Sequence, residues 1–325
     1  MQRVLRLTLL LAIVLTLSIM SVGAQGQVIT QAADQSSGLW FVELSSAPTA
    51  DGTSLATVRQ EKVNFRNAAR GTGLNFTERY AFDTLWNGLS IQMNASQLST
   101  LARIDGVKAI YPVVTVALPP TQAGDPELFT ALAMTGADIA QSELGFTGAG
   151  IRVAVMDTGV DYHHPDLGGC FGPNCRVYTG YDFVGSAFNA DPSSPAYNPT
   201  PAPDADPDDC NGHGTHVAGI IGANGTVKGV APGVKFGAYR VFGCDGSTTA
   251  DIMIAAMERA LADGMQVLNM SIGSSFQWPQ YPTAMASNRL VNKGMVVVAS
   301  IGNSGTSGVY AAGAPGLGDK VIGVA

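Results

Sequence analysis

The sequence predicts an α/β protein with a mostly parallel β-sheet and helices on both faces, preceded by a small α+β unit. Beyond residue 135, apolar strand-like segments alternate with helical segments, which is typical of a parallel sheet buried on both faces. Between residues 38 and 113 the order of segments is instead β-α-β-β-α-β, a split βαβ arrangement. The hydrophobic (46%) and charged (13%) fractions of the 325 residues favour a folded core over disorder. The net charge of −7 and the lack of a basic block argue against a nucleic-acid partner.

The chain begins with a pattern typical of an export signal, which we place at residues 1–24. Arg3 and Arg6 precede an apolar run, Leu7–Met20, and small residues follow up to Ala24, where we expect cleavage. A membrane anchor is the alternative, but the run of about 14 residues is shorter than the ~20 that a membrane span needs. We therefore expect a secreted protein without a stable membrane insertion once the signal is removed.

The small unit at 38–113 is predicted to lie between two linkers. Residues 25–37 are rich in Gln, Ser and Ala, and residues 114–135 contain several prolines and are expected to be exposed and to hold a processing site. Within the unit, the predicted strands are 39–44, 74–82, 85–93 and 107–112, and the predicted helices are 53–69 and 95–104.

The larger unit at 136–325 supplies the parallel sheet. Its predicted strands are 151–156, 230–241, 266–272, 295–301 and 321–324, and its predicted helices are 249–264 and 287–293. A Pro-, Asp- and Ser-rich insert between Ala187 and Asp209 is predicted to be a surface loop. No helix follows the last predicted strand, so we expect this unit to be incomplete at Ala325.

Four cysteines, Cys170, Cys175, Cys210 and Cys244, indicate disulfide bonds in an exported chain. Three pairings are conceivable. A local bridge around the turn between the first two would leave Cys210 to pair with Cys244. A zinc site is the alternative, but the spacings do not contain the paired C-x2-C pattern of such sites.

An acidic residue follows the first predicted strand of the larger unit. Asp157 lies in Val155–Val160, between a buried strand and a glycine turn. At the carboxyl end of a parallel strand, such a residue faces the crevice in which α/β sheets bind ligands. A turn-forming Asp is the alternative. Aspartic proteases use two D-T-G loops that share a proton, and this chain has one.

Two further motifs carry side chains suited to catalysis. His213 lies between glycines in Asn211–Gly219, which leaves its imidazole unobstructed. His216 would allow a metal site, but the Glu of an H-E-x-x-H arrangement is missing. Asn303 follows the predicted strand at 295–301 in a glycine-rich loop, where its amide could donate a hydrogen bond to an oxyanion. An Asn in an ordinary turn is the alternative.

Taken in this order, the three motifs resemble the subtilase family of serine proteases. The segments Leu268–Gly273 and Gly229–Pro232, together with Asp166, are similar to the family as well. The resemblance covers roughly residues 135–325. The small β-α-β-β-α-β unit is similar to the family's inhibitory propeptide, a ferredoxin-like domain that blocks the cleft until it is cut away.

The resemblance implies a secreted zymogen that hydrolyses peptide bonds by Asp-His-Ser acyl transfer, with protein or peptide substrates, its own propeptide as a partner and no required cofactor. His213 would take the proton of the serine hydroxyl, Asp157 would orient His213, and Asn303 would bind the oxyanion. The implied substrate-binding residues are Gly246, Ser271, Ile272, Gly273, Ser300 and Gly302. A bridge between Cys210 and Cys244 would brace the edge of the cleft, because the family places their two segments side by side.

The sequence departs from the family at the nucleophile. The family's serine lies in a G-T-S-M-A stretch that begins a helix. The 325-residue sequence contains no such stretch. Gly305–Ser307 is a near match, but Ser307 is only four residues past Asn303 in the same loop. We therefore do not assign Ser307 as the nucleophile. We expect the serine beyond Ala325, and we expect these residues alone to be inactive.

A second departure concerns calcium, which subtilisins often bind through a loop in this region. The segment Gly222–Val227 is short and has few oxygen-bearing side chains, whereas Ca²⁺ takes 6–8 oxygen ligands. We expect no required cofactor, and this short loop does not support the structural calcium that the resemblance allows. The alternative function for the whole chain is a catalytically inactive pseudo-protease, or an inhibitor or binding module. The presence of Asp157, His213 and Asn303 together favours the protease.

Overall fold

The computed structural model describes residues 27–28, 38–119 and 128–325. The predicted export signal at 1–24 and most of the predicted linker at 25–37 lie outside these residues. In the described part of the chain, no helix is both long and apolar enough to cross a membrane.

The small unit is a five-stranded sheet with two helices. Its strands are β1 (Gln27–Val28), β2 (Leu39–Leu44), β3 (Phe76–Phe82), β4 (Gly88–Met93) and β5 (Val107–Pro112). Helix α1 (Leu55–Gly71) lies between β2 and β3, and α2 (Leu98–Leu101) lies between β4 and β5. The strand order is β1-β5-β2-β4-β3. The predicted order of elements is present between β2 and β5, but the second helix is shorter than predicted because a 3₁₀ turn forms its first residues.

Helix α1 covers one face of this sheet. The helix begins after Ser54, whose hydroxyl accepts the N–H of Thr57, so one of the free donors at the helix start is satisfied. Phe65 and Ala69 are four residues apart and share one face of the helix. Both are buried in one cluster with residues of β2 and β4, such as Val42. The small unit therefore has a core of its own.

A six-stranded sheet forms the larger unit. Its strands are β7 (Arg152–Asp157), β8 (Val177–Asp182), β9 (Lys235–Arg240), β11 (Val267–Met270), β12 (Val296–Ser300) and β13 (Ile322–Val324). Two short strands, β6 (Thr115–Ala117) and β10 (Ser247–Thr249), lie outside this sheet and pair with each other. The helices are α3 (Leu128–Thr135), α4 (Ala137–Ser142), α5 (His213–Gly222), α6 (Ala250–Ala262) and α7 (Pro282–Asn292). All neighbouring strands in the order β13-β12-β11-β7-β9-β8 are parallel.

Helices pack on both faces of this sheet, as the alternation along β7 shows. Val153 and Val155 are buried in a cluster with Val217 of α5. Ala154 and Met156, which point to the opposite face, are buried in a second cluster with residues of α6 and α7. The predicted fold class, a mostly parallel α/β sheet covered on both faces, is confirmed.

The structure departs from the predicted elements at three places. Within the predicted linker 114–135, Thr115–Ala117 forms β6 and Leu128–Thr135 forms α3. Strand β8 was not predicted, since its polar and half-buried residues hide the apolar pattern. Helix α7 begins at Pro282 and not at Ser287, because proline is well suited to the first turn of a helix.

Candidate active site

Asp157 and His213 meet at the carboxyl edge of the parallel sheet. Asp157 is the last residue of β7, and His213 is the first residue of α5, which packs against β7. The imidazole Nδ1 lies 2.6 Å from Asp157 Oδ1. Gly214 permits this approach, because a Cβ there would lie 2.1 Å from the carbonyl oxygen of Gly159. The glycine after the histidine is therefore required by packing as well as by access.

The pair is buried on the acid side and reachable on the base side. The Asp157 side chain is 0% exposed and the His213 side chain is 15% exposed. The hydrogen bond to Asp157 raises the pKa of His213, against the opposing effect of burial, and the charge of Asp209 adds to the increase. Burial raises the pKa of Asp157, while the hydrogen bonds from His213 and from the N–H of Thr158 oppose that increase. The arrangement stabilises a protonated imidazole beside a carboxylate.

A disulfide and a buried arginine hold the loop that leads to His213. Both predicted disulfides are formed, Cys170–Cys175 and Cys210–Cys244. Arg240, the last residue of β9, is buried and pairs with Asp182 at 3.2 Å. Its guanidinium also donates to the Asp208 carbonyl (3.0 Å) and to Cys210 Sγ (2.9 Å). The end of the sheet is thereby tied to the segment just before His213.

The other predicted cleft residues follow neighbouring strands. Strand β11 lies between β7 and β12, and all three are parallel, so their carboxyl ends share one edge. Residues 271–273 directly follow β11, and Ser300 ends β12. Asn303 comes three residues later in a loop, and its side chain is exposed and makes no hydrogen bond within the described residues. An amide in this position is free to meet a ligand.

The loops after β11 and β12 contact each other. Ser275 Oγ and Ser304 Oγ lie 2.9 Å apart, and the N–H of Gly302 donates to Ser300 Oγ at 3.0 Å. Gly302 has a φ of +100°, and a Cβ there would lie 3.0 Å from Ser275 Oγ. A glycine is therefore needed where the loop after β11 approaches the loop after β12.

Comparison with known proteins identifies the family of the larger unit. The model of the subtilase family matches residues 148–325, which include Asp157, His213 and Asn303. The chain belongs to the subtilase family.

Among curated subtilase relatives, the Minor extracellular protease Vpr of Bacillus subtilis (strain 168) is 36% identical over 284 residues, covering 84% of this chain and 33% of the relative. Thermophilic serine proteinase of Bacillus sp. (strain AK1) is 39% identical over 166 residues, or 50% of this chain and 35% of the relative. Subtilisin DY of Bacillus licheniformis is 38% identical over 194 residues, or 58% of this chain and 60% of the relative. The chain thus spans about a third of the length of the first two.

Two solved structures share the fold. The keratinolytic enzyme fervidolysin of Fervidobacterium pennivorans has a TM-score of 0.59 at 22% identity, over 88% of this chain and 43% of that one. The Epidermin Leader Peptide Processing Serine Protease of Staphylococcus aureus has a TM-score of 0.61 at 23% identity, over 88% and 68%. At these identities the likeness concerns the fold.

In this subtilase, a segment of the chain itself lies along β10, directly after the predicted substrate-binding residue Gly246. β6 pairs antiparallel with β10, with Val116 opposite Thr248. The N–H of Leu118 continues the pairing to the carbonyl of Gly246 at 3.2 Å. Sequence reasoning missed this segment because prolines at 119 and 120 suggested a linker. The buried Val114 and Val116, two residues apart, were the available signal.

The near-match serine of this subtilase does not join the acid and the base. Ser307 lies in an exposed 3₁₀ turn, Gly305–Ser307, and its N–H donates to the Ser304 carbonyl. Within the described residues, no hydrogen bond links it to His213 or Asp157.

Asp166 and the segment Gly222–Val227, where subtilisins often bind calcium, are not arranged to hold a calcium ion. The Asp166 carboxylate accepts the N–H groups of Thr226 (3.1 Å) and Val227 (2.8 Å), so both its oxygens are used by the loop backbone. These bonds, the first of them from Val227, lower the pKa of Asp166. Across the described ranges, no group of three or more Asp, Glu, His or Cys side chains is arranged to hold a metal.

Proposed function

We propose that this chain supplies the acid, the base and one oxyanion donor of a secreted serine endopeptidase that is made as a zymogen. The observation that carries the proposal is the 2.6 Å hydrogen bond between His213 Nδ1 and the buried Asp157 carboxylate at the carboxyl edge of a parallel sheet. A carboxylate on Nδ1 leaves the other ring nitrogen, Nε2, to accept a proton. An imidazole so oriented is suited to activate a hydroxyl nucleophile.

In the proposed reaction, His213 Nε2 removes the proton of a serine hydroxyl as that oxygen attacks the carbonyl carbon of a peptide bond. Asp157 keeps the imidazole in the productive tautomer and stabilises the imidazolium that forms. Asn303 donates to the oxyanion of the tetrahedral intermediate. The imidazolium then gives its proton to the leaving amine, and water completes the cycle by hydrolysing the acyl-enzyme through the same base. The proposal places the serine outside the 325 residues, since none of their serines lies in the required G-T-S-M-A setting.

The proposal also makes the small unit an inhibitory propeptide. The pairing of β6 with β10 supports this role, because β6 occupies the edge of β10 on which a substrate would lie. Contacts between the units add support: Arg79 pairs with the buried Asp251 at 2.8 Å, and Glu258 accepts the N–H groups of Thr84 and Leu85. The apolar residues 7–20 and the two disulfides favour secretion.

The test is active-site labelling of a longer chain. We would express the 325 residues and, in parallel, the open reading frame extended past Ala325, and treat both with a fluorophosphonate probe. We expect labelling only of the extended chain, and loss of labelling in its His213→Ala variant. Labelling of the 325-residue chain at Ser307 would contradict the proposal. A reading frame that lacks a G-T-S-x-A segment would favour the inactive binding module instead.

A further inference from the structure

We propose that Asp209 is a positioning residue that holds both Asp157 and His213 in their hydrogen-bonding geometry. Asp209 lies four residues before His213, in the loop that enters α5. The proposal deepens the proposed function and rests on it, because it assigns a role in service of the acid and the base. The hydrogen bonds of the Asp209 carboxylate go to backbone N–H groups and threonine hydroxyls and not to the imidazole, so its proposed role is positioning and not catalysis.

The Asp209 carboxylate accepts hydrogen bonds from residues on both sides of His213. Oδ1 accepts the N–H groups of Asn211 (2.8 Å) and Gly212 (2.9 Å). Oδ2 accepts the N–H of Thr215 (2.9 Å) and its hydroxyl (2.6 Å). One side chain therefore fixes the backbone one residue before and two residues after the histidine, which leaves His213 little freedom to move relative to β7.

The carboxylate also compensates for a missing helix cap. The N-cap of α5 is Gly212, which has no side chain and cannot satisfy the free N–H groups at the helix start. Asp209 provides acceptors for Gly212 and Thr215 in its place. A negative charge is favourable at this end of a helix. An acid three residues earlier in the loop thus supplies the acceptors that Gly212 lacks.

A second path leads from Asp209 to the catalytic acid. The hydroxyl of Thr158, the residue after Asp157, donates to Asp209 Oδ1 at 2.9 Å. The same hydroxyl accepts the N–H of Gly214, the residue after His213, at 2.9 Å. Because Thr158 is buried, these bonds have no solvent to replace them. The chain segments that carry the acid and the base are cross-linked through this one hydroxyl.

Electrostatics agrees with the geometry. Burial works against ionisation of Asp209, but the hydrogen bonds from Gly212, Thr215 and Asn211 outweigh it and lower the pKa of Asp209. The residue is therefore a carboxylate at neutral pH. The charged groups that act on His213 are Asp157, its direct partner, and Asp209. Removing the charge of Asp209 removes part of the stabilisation of the imidazolium.

The test uses NMR on the 325-residue chain and the Asp209→Asn variant, which keeps the size of the side chain. We expect the pKa of His213 to fall, because one of two negative charges near it is lost. We expect the amides of Gly212 and Thr215 to exchange roughly tenfold faster or more, because each loses a charge-assisted hydrogen bond. The matched control is Asp191→Asn, since Asp191 likewise accepts a backbone N–H and a hydroxyl, both from Ser193, in an exposed loop. The control should leave His213 unchanged.

A second variant tests the link to the acid without altering charge. Thr158→Val removes the hydroxyl between Asp209 and Gly214 and keeps the shape of the side chain. We expect faster exchange of the His213 Nδ1 proton and of the Gly214 amide. A folded Asp209→Asn chain with wild-type titration of His213 would overturn the proposal. If that variant fails to fold, an unchanged Nδ1 proton in Thr158→Val overturns it equally. None of these readouts requires catalysis, so failure of the proposed function would leave their outcome intact.

Discussion

His213 has two requirements that pull against each other, and single residues reconcile them. The imidazole must be reachable, so glycines flank it, yet it must be held against Asp157 to within a hydrogen bond. At position 214 only glycine fits, because a Cβ there would collide with the carbonyl oxygen of Gly159. Asp209 and the buried Arg240 secure the loop before His213. These two side chains, which take no part in the proposed reaction, restrict the backbone mobility that the glycines would otherwise introduce.

If His213 is the base, as proposed, its pKa should set the acid limb of activity. The base must be neutral to accept a proton, so the rate is lost as pH falls through the pKa of His213. That pKa is raised by the bond to Asp157 above the ordinary value of 6.5, so the decline should begin at a higher pH than it would for a free imidazole. The measurement is kcat/KM of the extended protein against pH, which reports the free enzyme. Constant activity between pH 5 and 8 would be incompatible with His213 as the base.

Asn303 should affect turnover and not binding. In the extended protein, Asn303→Ala removes a donor that acts on the oxyanion and not on the ground-state carbonyl. We expect kcat to fall ~10²–10³-fold, a range that itself comes from a subtilisin, with KM little changed. Asn174→Ala, an exposed asparagine in the Cys170–Cys175 loop, is the control. A fall in kcat smaller than tenfold would argue against an oxyanion role.

At the scale of elements, apolar and glycine patterns predicted most of the fold. Strands β7, β11 and β12 were predicted because buried parallel strands form continuous apolar runs. Strand β8 was missed because it lies at the sheet edge, where Tyr178, Thr179 and Tyr181 are half-buried and break that run. Asp157 and His213 were predicted from their local motifs. Asp209 and Arg240 were not, because their importance depends on contacts that no local pattern in a Pro- and Asp-rich insert encodes.

The two disulfides should contribute unequally to stability. Cys210 and Cys244 are 34 residues apart, and Cys170 and Cys175 are 5 apart. A longer closed loop restricts the unfolded chain more, so the double Ser variants should lose about 4 and about 2 kcal/mol respectively. Denaturant unfolding of the two variants checks this order, and each variant serves as the control for the other. Equal losses would show that loop closure is not the dominant effect.

At the scale of the whole molecule, residues of the small unit also pack into the core of the larger unit, in addition to the separate core beneath α1. Phe41 of β2 contacts Trp86 (ring centroids 5.2 Å apart) and Tyr281 beside α7 (6.2 Å). The Tyr281 hydroxyl donates to the Pro112 carbonyl and accepts the N–H of Val114. This shared core explains why β6 emerges from the small unit already aligned with β10.

Docking of β6 should depend on Val116. Its side chain is buried in the core shared by both units, so Val116→Asp should cost about 3 kcal/mol or more for an unpaired buried carboxylate. We expect limited thermolysin digestion near Leu118 to become faster. Ala117→Asp is the matched control, since the neighbouring side chain is exposed. Equal digestion of the two variants would mean that β6 is not held by this burial.

The two edges of strand β10 have different hydrogen-bonding partners. On one edge, Ser247 gives its N–H to Asn189 Oδ1 and accepts the N–H of Ala190, both from the insert, so that edge is closed by the molecule's own surface loop. The other edge is covered by β6. If β6 departs on maturation, as the proposed function requires, what remains is a single row of main-chain donors and acceptors. Such a row accepts an extended stretch of almost any composition but no helix or compact surface. The enzyme would then discriminate among its targets by their local unfolding, and well-folded neighbours in the same medium would be spared.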